Sequence, residues 1–191
     1  MATTYCRRVQ HHARPAVVAA SQNSVRSVKC TQEKPRPPRV KSDGSDGGTA
    51  LQFSMVRGDL FSCPGTASLA HCISADMRMG KGIAVEFKKR YGHVEELKEQ
   101  RAEAGGVAVL KHHGAFVFYL VTKQRYFHKP TYESLESSLR SLSERCVASD
   151  VKELCMPTIG CGLDGLNWKD VEQMIKRIFN DVSISITIYY L

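Results

Sequence analysis

A mixed β-sheet with helices packed on both faces is the fold that these 191 residues predict, and three observations carry it. Strand-like and helix-like runs alternate along most of the chain, as in βα units that build a parallel sheet. One pair of strands, Val107-Ala108-Val109-Leu110 and Ala115 to Val121, is separated only by a short segment holding His112-His113-Gly114, so a hairpin interrupts the parallel order. Two glycine loops, Gly80-Lys81-Gly82 and Gly160-Cys161-Gly162, follow strands, at the sheet edge where open α/β folds gather ligands.

Composition bounds the reading. A hydrophobic content of 42% supports a real core. The net charge of +8 is uneven: residues 1–49 hold nine Lys/Arg against three Asp/Glu, giving +6, and residues 50–191 hold eighteen against sixteen, giving +2. Seven cysteines, with no Cys-x-x-Cys and no close Cys/His cluster, argue against a disulfide framework or a zinc site and point to a reducing compartment. No run approaches the roughly 18 apolar residues of a membrane span, and no secretory h-region stands near the start. A soluble intracellular protein without membrane association is expected.

Residues 1–49 carry four of the seven prolines, clustered basic residues and a closing Ser-Asp-Gly-Ser-Asp-Gly-Gly, which reads as a disordered basic tail and linker. Residues 1–32 lack Asp and Glu and include Arg7, Arg8, Arg14 and Arg26, the composition of a mitochondrial presequence, although Pro15 interrupts any long helix there. A disordered basic arm stays ahead of that reading, with nuclear or nucleolar retention as another role.

The folded part, residues 50–191, opens on the alternating strand Leu51 to Arg57, followed by Gly58-Asp59-Leu60. A second strand, Ser68 to Ser74, leads to Gly80-Lys81-Gly82 and a helix with Ile83, Phe87 and Tyr91 at four-residue spacing, read as a buried stripe. A polar helical run from His93 to about Glu103 ends at Gly105-Gly106, and the hairpin follows, its His pair read as exposed turn residues. Thr131 caps a helix in which Tyr132, Leu135, Leu139, Leu142 and Cys146 recur at three and four residues. The strand Lys152 to Met156 precedes the second glycine loop, and Asn167 with Asp170 resembles a cap for a helix with Val171, Met174, Ile175, Ile178 and Phe179 on one face. Ile184, Ile186 and Ile188 alternate with polar residues in a last strand.

Paired glycines let backbone N–H groups converge on phosphate, and a helix start beside them adds its dipole. Gly-x-Gly and Asp164-Gly165 are also common turn signals. Each loop could hold one phosphate, so together they suit a pyrophosphate. Neither is a Walker loop nor a Gly-x-Gly-x-x-Gly fingerprint, which leaves ATP hydrolysis and dinucleotide redox chemistry without support. Asp59 could accept from the amine of a base or serve as a turn carboxylate. Lys123 and Asp164 stand at two strand ends facing this cleft; a neutral lysine amine can attack a sugar aldehyde and a carboxylate can move the protons, while the plain alternative for Lys123 is a surface lysine. His71 and His128 are further candidate proton carriers, or simply packed and exposed histidines.

From about Phe53 to Leu191 the chain resembles the macrodomain family, and within it the terminal ADP-ribose protein glycohydrolases, also described as O-acyl-ADP-ribose deacylases. The blocks are Gly58-Asp59-Leu60-Phe61, Ser68 to Ser74, Arg78-Met79-Gly80, Gly82-Ile83-Ala84-Val85, His128-Lys129-Pro130-Thr131-Tyr132, Ile159 to Asp164 and the C-terminal strand. What the resemblance implies is a six-stranded mixed sheet flanked by helices, with ADP-ribose in a cleft at the strand ends. Lys123 matches the family's catalytic lysine and Asp164 its catalytic acid. In that mechanism the lysine displaces an acidic side chain from the distal ribose to give a lysyl-ADP-ribose intermediate, which the aspartate helps release. Substrate-contacting positions are Leu60, Ser74, Thr158, Ile159, Gly160, Cys161, Gly162, Leu163 and Leu191, with Asp59 near the adenine; Gly80 and Gly82 are expected to contact phosphate. The implied partners are ADP-ribosylated proteins and O-acyl-ADP-ribose, with ADP-ribosylated DNA and poly-ADP-ribose beside them. The resemblance implies no metal or other cofactor. A monomer of the nucleus, nucleolus and cytoplasm acting in the DNA damage response is expected, with the mitochondrial matrix as the alternative if residues 1–32 act as a presequence, and the sequence leaves the oligomeric state open.

Three departures bear on this. His71-Cys72-Ile73-Ser74 stands where many hydrolytic macrodomains carry Asn-Ala-Ala-Asn, which agrees with the lysine-using branch and not with water activation. Lys81 replaces a small residue and Thr158 a basic one, changes expected to act on affinity. Two rivals share the same residues: a reader that binds ADP-ribose without turning it over, and a nucleic-acid-binding protein that uses its basic tail.

Overall fold

The computed structural model describes residues 50–191; the tail expected at 1–49 lies outside them. Six strands form one sheet: β1 Gln52–Arg57, β2 Ser68–Ser74, β3 Val107–His112, β4 Ala115–Lys123, β5 Glu153–Pro157 and β6 Ser185–Tyr190. A 3-10 turn, Leu60–Ser62, and four helices connect them: α1 Ile83–Tyr91, α2 Val94–Glu99, α3 Tyr132–Ala148 and α4 Trp168–Phe179. The spatial order is β1-β6-β5-β2-β4-β3. All neighbours are parallel except the β3–β4 hairpin, so the mixed sheet expected from the sequence is the one observed.

Strand alternation sorts the core into two layers. From β4, Phe118 and Leu120 face one side, where they meet Leu135, Leu139 and Leu142 of α3 and Val171, Ile175 and Phe179 of α4. Val117, Tyr119 and Val121 face the other, with Phe87 of α1, Leu97 of α2 and Leu60 of the 3-10 turn. Helices therefore cover both faces. A cleft opens where the residues following β1, β5 and β6 come together.

Capping fixes where the helices start. Thr131 Oγ1 accepts from the Ser134 N–H at 3.1 Å while Ser134 Oγ accepts from the Thr131 N–H at 3.0 Å, a reciprocal capping box for α3. Asn167 Oδ1 caps α4 through the Lys169 N–H at 2.9 Å. Asp170 instead accepts from the Tyr132 hydroxyl at 3.2 Å, and that same oxygen accepts from the Asn167 N–H at 3.1 Å. One phenol thus joins the start of α3 to the start of α4.

The second helix is shorter than the polar run His93 to Glu103 predicts. His93 and Arg101 both have left-handed backbone, φ 50° and φ 49°, and Gln100 turns away to bond the N–H and C=O of Val109, each at 2.8 Å. The amide is worth more as a cap on an exposed sheet edge than as one further helical residue. Of the expected stripe on α1, Phe87 is fully buried, while Ile83 and Tyr91 are partly exposed. The turn histidines His112 and His113 are exposed, as expected.

Candidate active site

Residues from β1, α1, β4, β5 and β6 converge at the open strand ends. A cleft of about 850 Å³ runs between the turn after β1, the start of α1, the loop after β5 and the end of β6. Of the expected contact positions, Asp59, Leu60, Gly82, Thr158, Ile159, Gly160, Gly162, Leu163, Asp164 and Leu191 line it. Gly80, Ser74, Cys161 and Lys123 do not.

Lys123 nevertheless reaches the cleft through its partner. Its Nζ donates to Asp164 Oδ1 at 2.5 Å, with each side chain 15% exposed. The strand geometry explains the placement. Ile73 pairs with Val121, but Ser74 pairs with Lys123, so the register between β2 and β4 slips by one residue at Thr122. A bulge at a strand end re-aims the side chain beyond it. Ser74 itself is buried, and its Oγ donates to Asp76 Oδ1 at 2.5 Å while Asp76 Oδ2 accepts from the Tyr126 N–H at 3.0 Å. The residue expected to touch substrate therefore braces the segment that follows Lys123.

The two glycine loops face each other. Gly82 has φ 58°, and a Cβ built there would stand 3.7 Å from Leu163 Cδ1. Gly160, at φ 73°, lies so close to the core that a Cβ would meet Leu166 Cδ1 at 3.0 Å and Leu135 Cδ2 at 3.3 Å. Leu166 N–H donates to the Gly160 carbonyl at 2.9 Å, and Lys129 Nζ donates to the Leu163 carbonyl at 2.5 Å. The loop carrying Asp164 is therefore held at both its inner and outer sides. Asp59 lines the cleft and caps the 3-10 turn through the Phe61 N–H at 3.0 Å, so one carboxylate oxygen has a local task.

Electrostatics narrows the set of nucleophiles. Burial, with Asp164's charge adding to it, pushes the Cys72 thiol up to about 12 and the Cys161 thiol up to about 11, so both stay neutral near pH 7 and are poor attackers. His71 is fully buried, stacked on Phe87 at 3.8 Å and edge-on to Tyr119 at 4.8 Å. Burial lowers its imidazole to about 3, and it does not line the cleft. His128 is exposed outside it. Neither of the two histidines stands at the cleft. Among the described residues, no three His, Cys, Asp or Glu side chains cluster as metal ligands would.

Sequence reasoning missed several members. Cys72, Phe61, Glu86, Arg90, Tyr189 and Tyr190 line the cleft, with the Arg90 guanidinium 4.2 Å over the Phe61 ring. No periodicity marks these; β2, the 3-10 turn, α1 and β6 simply present them to the cleft. Lys129 had a visible signal, a cation beside Pro130 just before a capped helix, but its target is a main-chain carbonyl that no pattern names.

Residues 70–175 match the family model described as Macro domain. The chain is 53% identical over 140 residues to human ADP-ribose glycohydrolase OARD1, which covers 73% of this chain and 92% of that protein. It resembles the macrodomain of Thermus aquaticus DarG in fold, with a TM-score of 0.68 at 23% identity over 74% of this chain and 99% of that one. Thermosipho africanus DarTG, solved in complex with ADP-ribose, aligns with a TM-score of 0.65 at 26% identity over 72% of this chain and 41% of that one.

Proposed function

The chain belongs to the macro domain family, and from that premise we propose that it is a hydrolase that releases ADP-ribose from acidic side chains of proteins and deacylates O-acyl-ADP-ribose. ADP-ribosylated nucleotides in DNA are further substrates of the same site, an activity carried in the name of DNA ADP-ribosyl glycohydrolase, a relative from Thermus aquaticus. One observation supports the reading above the others. An amine and a carboxylate, 41 positions apart in the chain, meet at 2.5 Å beside a cleft of nucleotide-sugar size.

The pyrophosphate lies against Gly82 and Gly160 to Gly162, and the adenine end lies toward Asp59 and Leu60. The distal ribose then points at Asp164. Lys123 attacks its anomeric carbon only after losing one ammonium proton, and Asp164 Oδ1 is the atom in hydrogen-bond reach to take it. The C–N bond forms as the C–O bond to the acyl group breaks, and the electron pair leaves with the carboxylate. Water then hydrolyses the lysyl adduct, Asp164 returns the proton, and free ADP-ribose and the amine are restored. The neutral thiols of Cys72 and Cys161 leave the lysine as the available nucleophile in this corner.

A reader of ADP-ribose needs the glycine loops but has no use for this pair. Incubation with an ADP-ribosylated glutamate peptide, followed by mass spectrometry of the denatured protein, separates the two. An ADP-ribose adduct mapped to Lys123 and lost in Lys123→Ala is expected. Unchanged release by Lys123→Ala discards the lysine mechanism, and no release by the unaltered chain favours the reader.

A further inference from the structure

A second cleft of about 770 Å³ opens beside the segment that follows Lys123. It is separate from the first: no residue lines both. It is tied to the same machinery, because the Ala75 N–H donates to the Lys123 carbonyl at 2.9 Å and Asp76 holds the Tyr126 N–H. Its walls combine Arg78, Lys88 and Arg125 with the aromatic rings of Tyr126 and Phe127.

Two features say what it would take. The first is an excess of positive charge: Arg78, Lys88, Lys98 and Arg125 stand against Asp76 and Glu95. Of its two carboxylates, Asp76 is engaged by Ser74 and the Tyr126 N–H, and Glu95 by Lys98 at 2.8 Å. Lys88 and Arg125 are exposed and make no direct ion pair among the described residues, although Arg125's charge acts on Asp76. The second is an aromatic platform. The Arg78 guanidinium covers the Tyr126 ring at 4.1 Å, whereas Phe127 is 67% exposed and touches its neighbours Tyr126 and His128 only edge-on. A large apolar ring left in water beside exposed cations is the pairing that single-stranded nucleic acid uses, stacking for the base and charge for the phosphates. An acidic peptide would use the cations but leave the ring idle.

We propose that this cleft is an acceptor subsite that binds the nucleotides flanking an ADP-ribosylated nucleotide in a single strand, with a base on Phe127 and phosphates on Arg125 and Lys88. Strand binding itself stands on the cleft alone; the acceptor role rests on the glycohydrolase reading above.

The test compares kcat/KM for an ADP-ribosylated single-stranded oligonucleotide with that for an ADP-ribosylated glutamate peptide, in the full chain. The altered side chains are exposed, so the core is untouched. In the double variant Arg125→Glu/Phe127→Ala the oligonucleotide-to-peptide ratio is expected to fall at least about tenfold, the scale of one lost stacking contact. A ratio within about twofold of the unaltered chain overturns the proposal, and so does a rise, which would assign the cleft to acidic peptides. Lys88→Glu, on α1, is expected to lower the ratio as well. A normal ratio there would trace the double variant's defect to distortion beside Lys123 and overturn the cleft. If the unaltered chain turns over neither substrate, the catalytic reading fails by itself. Fluorescence anisotropy with an unmodified labelled oligothymidine then decides the cleft: tenfold weaker binding by the double variant supports it, and equal binding overturns it.

Discussion

Lys129 Nζ donates to the main-chain carbonyl of Leu163 at 2.5 Å, a bond between the segment leading into α3 and the loop that carries Asp164. Leu163 is itself 66% exposed over the start of α1, so little packing holds this stretch and the ammonium is its outer tether. Lys129→Met keeps the aliphatic stem and removes the donor. It is expected to cost no more than about 1 kcal/mol of stability, because the bond is exposed. The effect should fall on binding: KM rises several-fold while kcat changes less, and limited proteolysis cuts 161–166 faster.

Gly160 sits at φ 73° with two leucines at the limit of contact. Alanine there meets both a left-handed backbone and a crowded pocket, so about 1–3 kcal/mol of destabilisation is expected in urea unfolding. The displaced loop should also weaken ADP-ribose binding. Gly162→Ala, whose Cβ would meet nothing within 4 Å, is the comparison: near-neutral in stability, with any loss confined to affinity.

Most of the fold was legible because its elements are written in burial periodicity. β2 carries Ser68 to Ser74 and α1 starts at Ile83 just as the pattern predicts, since apolar spacing and a glycine boundary act locally. The places that escaped are tertiary. The end of α2 depends on Gln100 finding Val109, and the position of Lys123 depends on a register slip against Ser74. Neither leaves a trace in spacing. The same holds within the site: glycines at strand ends are readable, but Cys72 and Arg90 enter the cleft by the direction in which their elements point.

Acid stability should report His71. Its folded-state value of about 3 lies below the ordinary 6.5 because burial opposes the charged form. The unfolded chain therefore takes up the proton first, and stability is lost as pH falls below 6.5. Between pH 6.5 and pH 5 the loss is about 1.6 kcal/mol. Burial raises the Asp76 carboxyl, but the Ser74 hydroxyl and main-chain N–H bonds with Arg125's charge outweigh it and lower the net value below 3.8, so its contribution disappears only in a more acidic window. Guanidinium unfolding at the two pH values measures the slope. His71→Leu should flatten it, and an unchanged slope would mean the imidazole is not the buried neutral group described.

The meeting of Lys123 with Asp164 makes a prediction about how two losses combine. If amine and carboxylate act in one step, removing either stops the same event, and removing the second has little left to destroy. Asp164→Asn keeps the shape but gives up the proton acceptor, so kcat should fall by about 10²–10⁴. Lys123→Ala should fall at least as far and should abolish the covalent adduct. The double variant Lys123→Ala/Asp164→Asn should then lie within about tenfold of the worse single variant, far from the product of the two effects. Multiplicative losses would place the two residues in separate steps. Because each side chain is 15% exposed and joined to the other, each single change also leaves a charged or polar partner unpaired. Thermal unfolding must accompany the kinetics, and ADP-ribose binding by the double variant shows whether the glycine loops still hold the nucleotide. Retained binding with lost turnover would separate the chemistry of the pair from the grip of the loops.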